Sequence, residues 1–121
     1  MRAFLNLKIA AIIVALTLAG CGRSKSGGPT ASDRQSFDNA PPELKQAWEK
    51  ACEAGKANDY VSAETLLYAL VRQPLSPPQK AAVEKELTSV NQRLLEAAQK
   101  GDTTAKAALE ELRHNPPNRQ R

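Results

Sequence analysis

The chain has 121 residues, enough for one small domain. Its formal net charge is +4, and residues 21–121 carry 15 basic and 13 acidic side chains. This excess of positive charge is small and the two signs are interleaved, which argues against a nucleic-acid-binding surface. Aromatic residues make up only 4% and Ala and Leu dominate the apolar content, which favours helices over sheets.

Residues 1–20 have the parts of a secretory signal. Arg2 and Lys8 provide positive charge, and an apolar core of eleven residues follows from Ile9 to Ala19. Because a membrane-spanning helix needs roughly 20 apolar residues, this run is too short to span comfortably. We therefore predict a signal peptide over residues 1–20.

The signal ends in Leu18-Ala19-Gly20-Cys21, which resembles the lipobox of bacterial lipoproteins. The resemblance implies cleavage between Gly20 and Cys21, a diacylglyceryl group on the Cys21 thiol and an acyl group on the new amine. That covalent lipid is the only cofactor predicted, and two or three acyl chains would hold the protein on a membrane. The alternative is an uncleaved helix that carries a cysteine by chance.

The residue after Cys21 bears on the choice of membrane. In Gram-negative lipoproteins an Asp there commonly retains the protein at the inner membrane, and this chain has Gly22. The resemblance therefore implies the periplasmic face of the outer membrane in a Gram-negative host. In a Gram-positive host it implies the outer leaflet of the single membrane.

Residues 21–40 are predicted to be the lipidated cysteine and a flexible tether. Glycine, serine and charged residues dominate, so the segment lacks the apolar surface that would offset ordering. As a random coil it would span about 25 Å on average. Phe37 has two interpretations, packing back on the first helix or contact with a partner.

Residues 41–114 are predicted to fold as a small antiparallel bundle of four helices, an all-α domain. The first helix begins at Pro41–Pro42 and ends at Gly55 or Asn58, and Asp59 caps a second that stops near Gln73. The first helix has apolar residues at helical spacing: Leu44, Ala47, Trp48, Ala51 and Cys52.

The third helix is predicted over residues 78–100 with Ser76 as its cap, and it carries a heptad-spaced seam of Val83, Leu87, Val90 and Leu94. That seam either packs within the bundle or receives a partner helix, including one from a second copy of the chain. Gly101 ends this helix, Asp102 caps a fourth that reaches His114, and residues 115–121 are predicted to be a disordered tail.

The segment AWEKACEAGKANDYVSAETLLYALVRQP resembles a tetratricopeptide helical hairpin, and AAQKGDTTAKAALEEL, residues 97–112, resembles a Sel-like repeat. The residues that carry the first resemblance are Trp48, Ala51, Tyr60, Ala63, Leu67, Leu70 and Pro74. The resemblance implies two helical hairpins and the habit of binding protein partners. Gly55 departs from it, because the family normally places a large side chain there.

No catalytic or metal-binding pattern is found in the sequence. His114, the single histidine, lies at a helix end without other ligands nearby in sequence. Cys52 is expected to be a small core residue or, alternatively, to pair with a second chain. The helix carboxylates, Glu84 and Glu86 among them, are expected on solvated faces.

These observations predict a membrane-anchored, non-enzymatic module that binds an unidentified envelope protein. The alternative is a structural or stress-related lipoprotein that self-associates along the third helix as a homo-oligomer. Neither a nucleic acid nor a small-molecule substrate is predicted as a partner.

Overall fold

A computed structural model describes residues 28–119 of the chain. Within that range the secondary structure is helical and no strand occurs, which confirms the all-α prediction. The described range has five helices, and a 3-10 turn over Pro117–Arg119 follows the last. The helices are α1 (Ala31–Gln35), α2 (Pro42–Lys56), α3 (Tyr60–Val71), α4 (Pro77–Gln99) and α5 (Thr103–His114).

Local side-chain chemistry fixes where helices α3, α4 and α5 begin. The side chains of Asp59, Ser76 and Asp102 each accept a hydrogen bond from the backbone N–H three residues later. The α4 cap is reciprocal, because the Gln79 side chain accepts from the Ser76 N–H at 2.9 Å. Gly101, with φ +91°, follows the end of α4 in the left-handed region, as expected of a helix-ending glycine.

Helix α3 lies at the centre of the fold. It contacts α2, α4, α5 and the C-terminal turn, and short loops fold α3, α4 and α5 each back on the preceding helix. Apart from Phe37, which precedes α2, the fully buried core side chains come from α2 to α5: Ala51, Ala63, Leu67, Leu70, Val83, Val90, Leu94 and Ala105. Helices α2 to α5 correspond to the four predicted helices, and α1 is an additional helix outside that body.

Residues 30–40 of the predicted tether pack against the helical body in the structure. Thr30 and Asp33 form a capping box that begins α1, and Phe37 is 1% exposed. The Phe37 ring stacks on Trp48 of α2 with ring centroids 4.7 Å apart and planes 11° from parallel. One aromatic side chain therefore fastens a segment whose average composition predicts disorder, and Phe37 packs back on the first predicted helix. Residues 21–27 of the predicted tether lie outside the described residues.

Residues 117–119 of the predicted tail form a turn that packs on α3, and residues 120–121 lie outside the described residues. Pro117 is buried, and Arg72 Nη2 donates to its carbonyl oxygen at 2.6 Å. The C-terminal turn packs on α3 because this cation reaches it across 45 positions of sequence.

Candidate functional site

The predicted lipidation site lies outside the described residues. Gly20 and Cys21 precede residue 28, so the case for lipid attachment remains the sequence motif. Within residues 28–119, no helix has the length and hydropathy needed to cross a membrane.

The predicted seam on α4 lies against the other helices of the body. Val83, Val90 and Leu94 are fully buried, and Leu87 is partly buried against the same core. This placement favours the interpretation of the seam as internal packing, because three of its four side chains are already covered.

A largely buried ion pair within α4 lies against the end of α2. Glu86 is only 4% exposed, so the expectation that it lies on a solvated face is wrong, whereas Glu84 is exposed. Glu86 Oε1 lies 3.6 Å from Arg93 Nη2, and Arg93 Nη1 donates to the Gly55 carbonyl at 2.9 Å. A side chain at position 55 would place its Cβ 3.1 Å from Glu86 Oε1 and 3.2 Å from Arg93 Nη2. Gly55 therefore leaves the room that this pair occupies.

Glu64 of α3 is a second buried carboxylate, and its Oε1 has no hydrogen-bond partner. Burial raises the pKa of Glu64, and it also raises the pKa of Glu86 despite the opposing effect of Arg93. Sequence reasoning did not single out Glu64. The available signal was its helical spacing, because Glu64 stands four residues after Tyr60 and three before Leu67 and so shares their face of the helix.

Cys52 and His114 are the cysteine and the histidine of residues 28–119. Cys52 is half-buried, and burial raises the pKa of its thiol to about 12, which keeps it protonated at neutral pH. His114 is exposed, and its Nδ1 lies 2.7 Å from the Glu110 carbonyl oxygen in the last turn of α5. Across residues 28–119, no three His, Cys, Asp or Glu side chains are grouped so as to hold a metal ion.

An open groove of about 400 Å³ runs between α2 and α3. Its lining is mostly apolar and includes Leu44, Ala47, Leu66, Ala69 and Leu70, with Pro41 and Pro74 also on its wall. Leu44, Ala47 and Leu66 are only partly buried, so their remaining surface is available to another molecule. The groove could receive an apolar side chain, and its wall offers no cluster of catalytic groups.

Comparisons with known proteins leave the function to be argued from the chain itself. No protein-family model, no curated protein and no solved structure matches this sequence.

Proposed function

We propose that this chain is a bacterial lipoprotein whose helical body, held at the cell envelope by lipid on Cys21, binds a protein partner without catalysing a reaction. The observation that carries the proposal is the order of features in residues 1–21: positive charge, a short apolar core, small residues and cysteine. Thioether-linked diacylglycerol together with an amide-linked acyl chain would give stable anchoring, because each buried methylene contributes about 0.8 kcal/mol.

The binding part of the proposal is supported by the groove between α2 and α3 and by the resemblance to helical-hairpin repeats. Apolar side chains that stay partly open beside a packed core are typical of surfaces that receive a partner. The self-association alternative has less support, because the seam on which it depended is largely buried within one chain.

The anchor is tested by membrane fractionation of two cysteine variants expressed in a bacterial host that processes lipoproteins. Cys21→Ser should lose the lipid and leave the membrane fraction, whereas Cys52→Ser should stay with the membrane like the wild type. Equal membrane retention of both variants would contradict the proposed anchor.

The groove is tested by crosslinking the lipidated protein in its native envelope. Ala69→Lys places a charge in the groove, whereas Thr65→Lys places the same charge one turn earlier on the exposed surface of α3. A crosslinked partner should be lost from the first variant and retained by the second. An unchanged crosslinking pattern in Ala69→Lys would exclude the groove as the contact surface.

A further inference from the structure

Residues 30–40, which we call the N-terminal strap, lie across two helices of the body. Phe37 stacks on Trp48 of α2, and Asp33 Oδ2 accepts from Lys85 Nζ of α4 at 3.1 Å. Gln79 Nε2 of α4 also donates to the strap, at the carbonyl of Ser36 and a distance of 3.0 Å. A few side-chain contacts therefore fasten the strap to the rest of the chain.

The strap has little stability of its own. Helix α1 has five residues, none of them buried, and a helix that short is marginal without tertiary support. Phe37 is its one fully buried hydrophobic side chain, whereas the other fully buried hydrophobic side chains come from α2 to α5. Segments with few buried apolar contacts open locally at lower free energy than the core. The strap is therefore expected to open at a lower free energy than the body.

We propose that the strap exchanges between this docked state and a released state, and that the exchange sets how far the body can stand from the membrane. The second part rests on the proposed lipid on Cys21, and the first part does not. From Cys21 to Pro29 the chain can span at most about 28 Å, whatever conformation it adopts. With the strap released, the span from Cys21 to Pro41 reaches about 70 Å at full extension.

Release also uncovers a defined surface on α2. Phe37 covers Trp48, which is only 3% exposed. The two rings lie on the wall of a cavity of about 360 Å³, together with Arg34 and Cys52. Trp48 is the single tryptophan of the chain. Its fluorescence is therefore a native reporter of the strap, because solvent reaches the indole when Phe37 leaves.

The strap is tested by acrylamide quenching of Trp48 in the mature lipidated chain, held in detergent micelles. Lys85→Glu turns the attraction between position 85 and Asp33 of the strap into repulsion. Lys80→Glu makes the same charge change on the same helix, where the ion-pair partner is Glu84 of α4 and not a strap residue. The two lysine side chains are similarly exposed, at 59% and 61%. We expect the quenching constant to rise about twofold in Lys85→Glu and to stay at the wild-type value in Lys80→Glu. Equal quenching in the two variants would contradict the proposal that the ion pair between Asp33 and Lys85 holds the strap in its docked state.

Hydrogen exchange on the wild-type chain tests release without any substitution. The amides of Arg34, Ser36, Phe37 and Ala40 donate to backbone carbonyls only within the strap. They should exchange about a hundredfold faster than amides in the middle of α3, because they open without global unfolding. Exchange at the same rate as α3 would show that the strap opens only when the whole body unfolds, and the proposal would be wrong.

The effect on reach is measured by energy transfer from Trp48 to dansyl-labelled lipid in vesicles that carry the lipidated protein. Transfer should be weaker in Lys85→Glu than in Lys80→Glu, and equal transfer would overturn the link to membrane distance. Quenching and hydrogen exchange report the strap whether or not the chain is anchored. A failure of the anchor appears separately, as Cys21→Ser remaining with the membrane fraction.

Discussion

Individual residues depart most from expectation where charge is buried. Glu84 and Glu96 of α4 are exposed, whereas Glu86 of the same helix and Glu64, the one carboxylate of α3, are buried. Their burial is decided by which neighbouring helix covers them, which is a tertiary property. Gly55 is explained at the same level, since the Glu86–Arg93 pair fills the space that its side chain would need.

Glu64 should destabilise the fold at neutral pH, because its buried Oε1 lacks a partner. We expect Glu64→Gln to raise the free energy of unfolding at pH 7 by about 1 kcal/mol. Glu84→Gln, on the exposed surface of α4, should change it much less. Urea unfolding of both variants beside the wild type provides the measurement, and a destabilised Glu64→Gln would contradict this description of the site.

The pH dependence of stability follows from the raised pKa of Glu64. The folded chain keeps a proton on this carboxyl at pH values where the unfolded chain, with its ordinary value of 4.5, has lost it. The contribution of Glu64 to stability is therefore greatest below pH 4.5 and declines as pH rises through the raised pKa. Unfolding measured from pH 4.5 to 7.5 should show a smaller loss of stability in Glu64→Gln than in the wild type. An identical pH profile would contradict the raised pKa.

At the scale of elements, the helix starts could be predicted best from the sequence. A capping side chain bonds to a backbone N–H only a few residues away, so its effect can be read locally. The side-chain oxygens of Asp59, Ser76 and Asp102 cap α3, α4 and α5, as their positions in the sequence predict. The strap was not predictable in the same way. Its composition favours disorder, whereas its docking depends on the stacking of Phe37 on Trp48. From the sequence, packing on the first predicted helix was one of two interpretations of Phe37.

The cap of α5 provides an element-scale prediction. Asp102 accepts from the Ala105 N–H at 3.1 Å, so Asp102→Ala should lower the free energy of unfolding by about 1 kcal/mol. Asp102→Asn retains an acceptor oxygen and should cost much less. Thermal unfolding of the pair separates loss of the cap from loss of the charge, and equal destabilisation would indicate that the charge is what matters.

Two adjacent leucines of α4 test whether its seam is internal. Leu94 is fully buried and Leu95 is 49% exposed. Leu94→Ala should cost about 3 kcal/mol in the free energy of unfolding, whereas Leu95→Ala should be close to neutral. Light scattering on the same samples checks assembly. A stable Leu94→Ala variant that has lost an oligomer would instead support the partner-helix interpretation.

At the scale of the whole molecule, the chain combines a helical body with an N-terminal segment that we propose to be a lipoprotein signal. The all-α class followed from composition and helical spacing, and the structure confirms it. The structure also moves residues 30–40 from the predicted tether to the folded body. With the proposed lipid on Cys21, a docked strap shortens the free chain between the membrane and the body. The body then stands closer to the membrane than a fully free tether would allow.

The intact mass of the mature protein, purified from a lipoprotein-processing host, tests the central claim most directly. We predict a chain that begins at Cys21, with a mass above that of residues 21–121 by a diacylglyceryl group and one further acyl chain. A mature chain that retains residues 1–20, or one that carries no lipid on Cys21, would contradict the account.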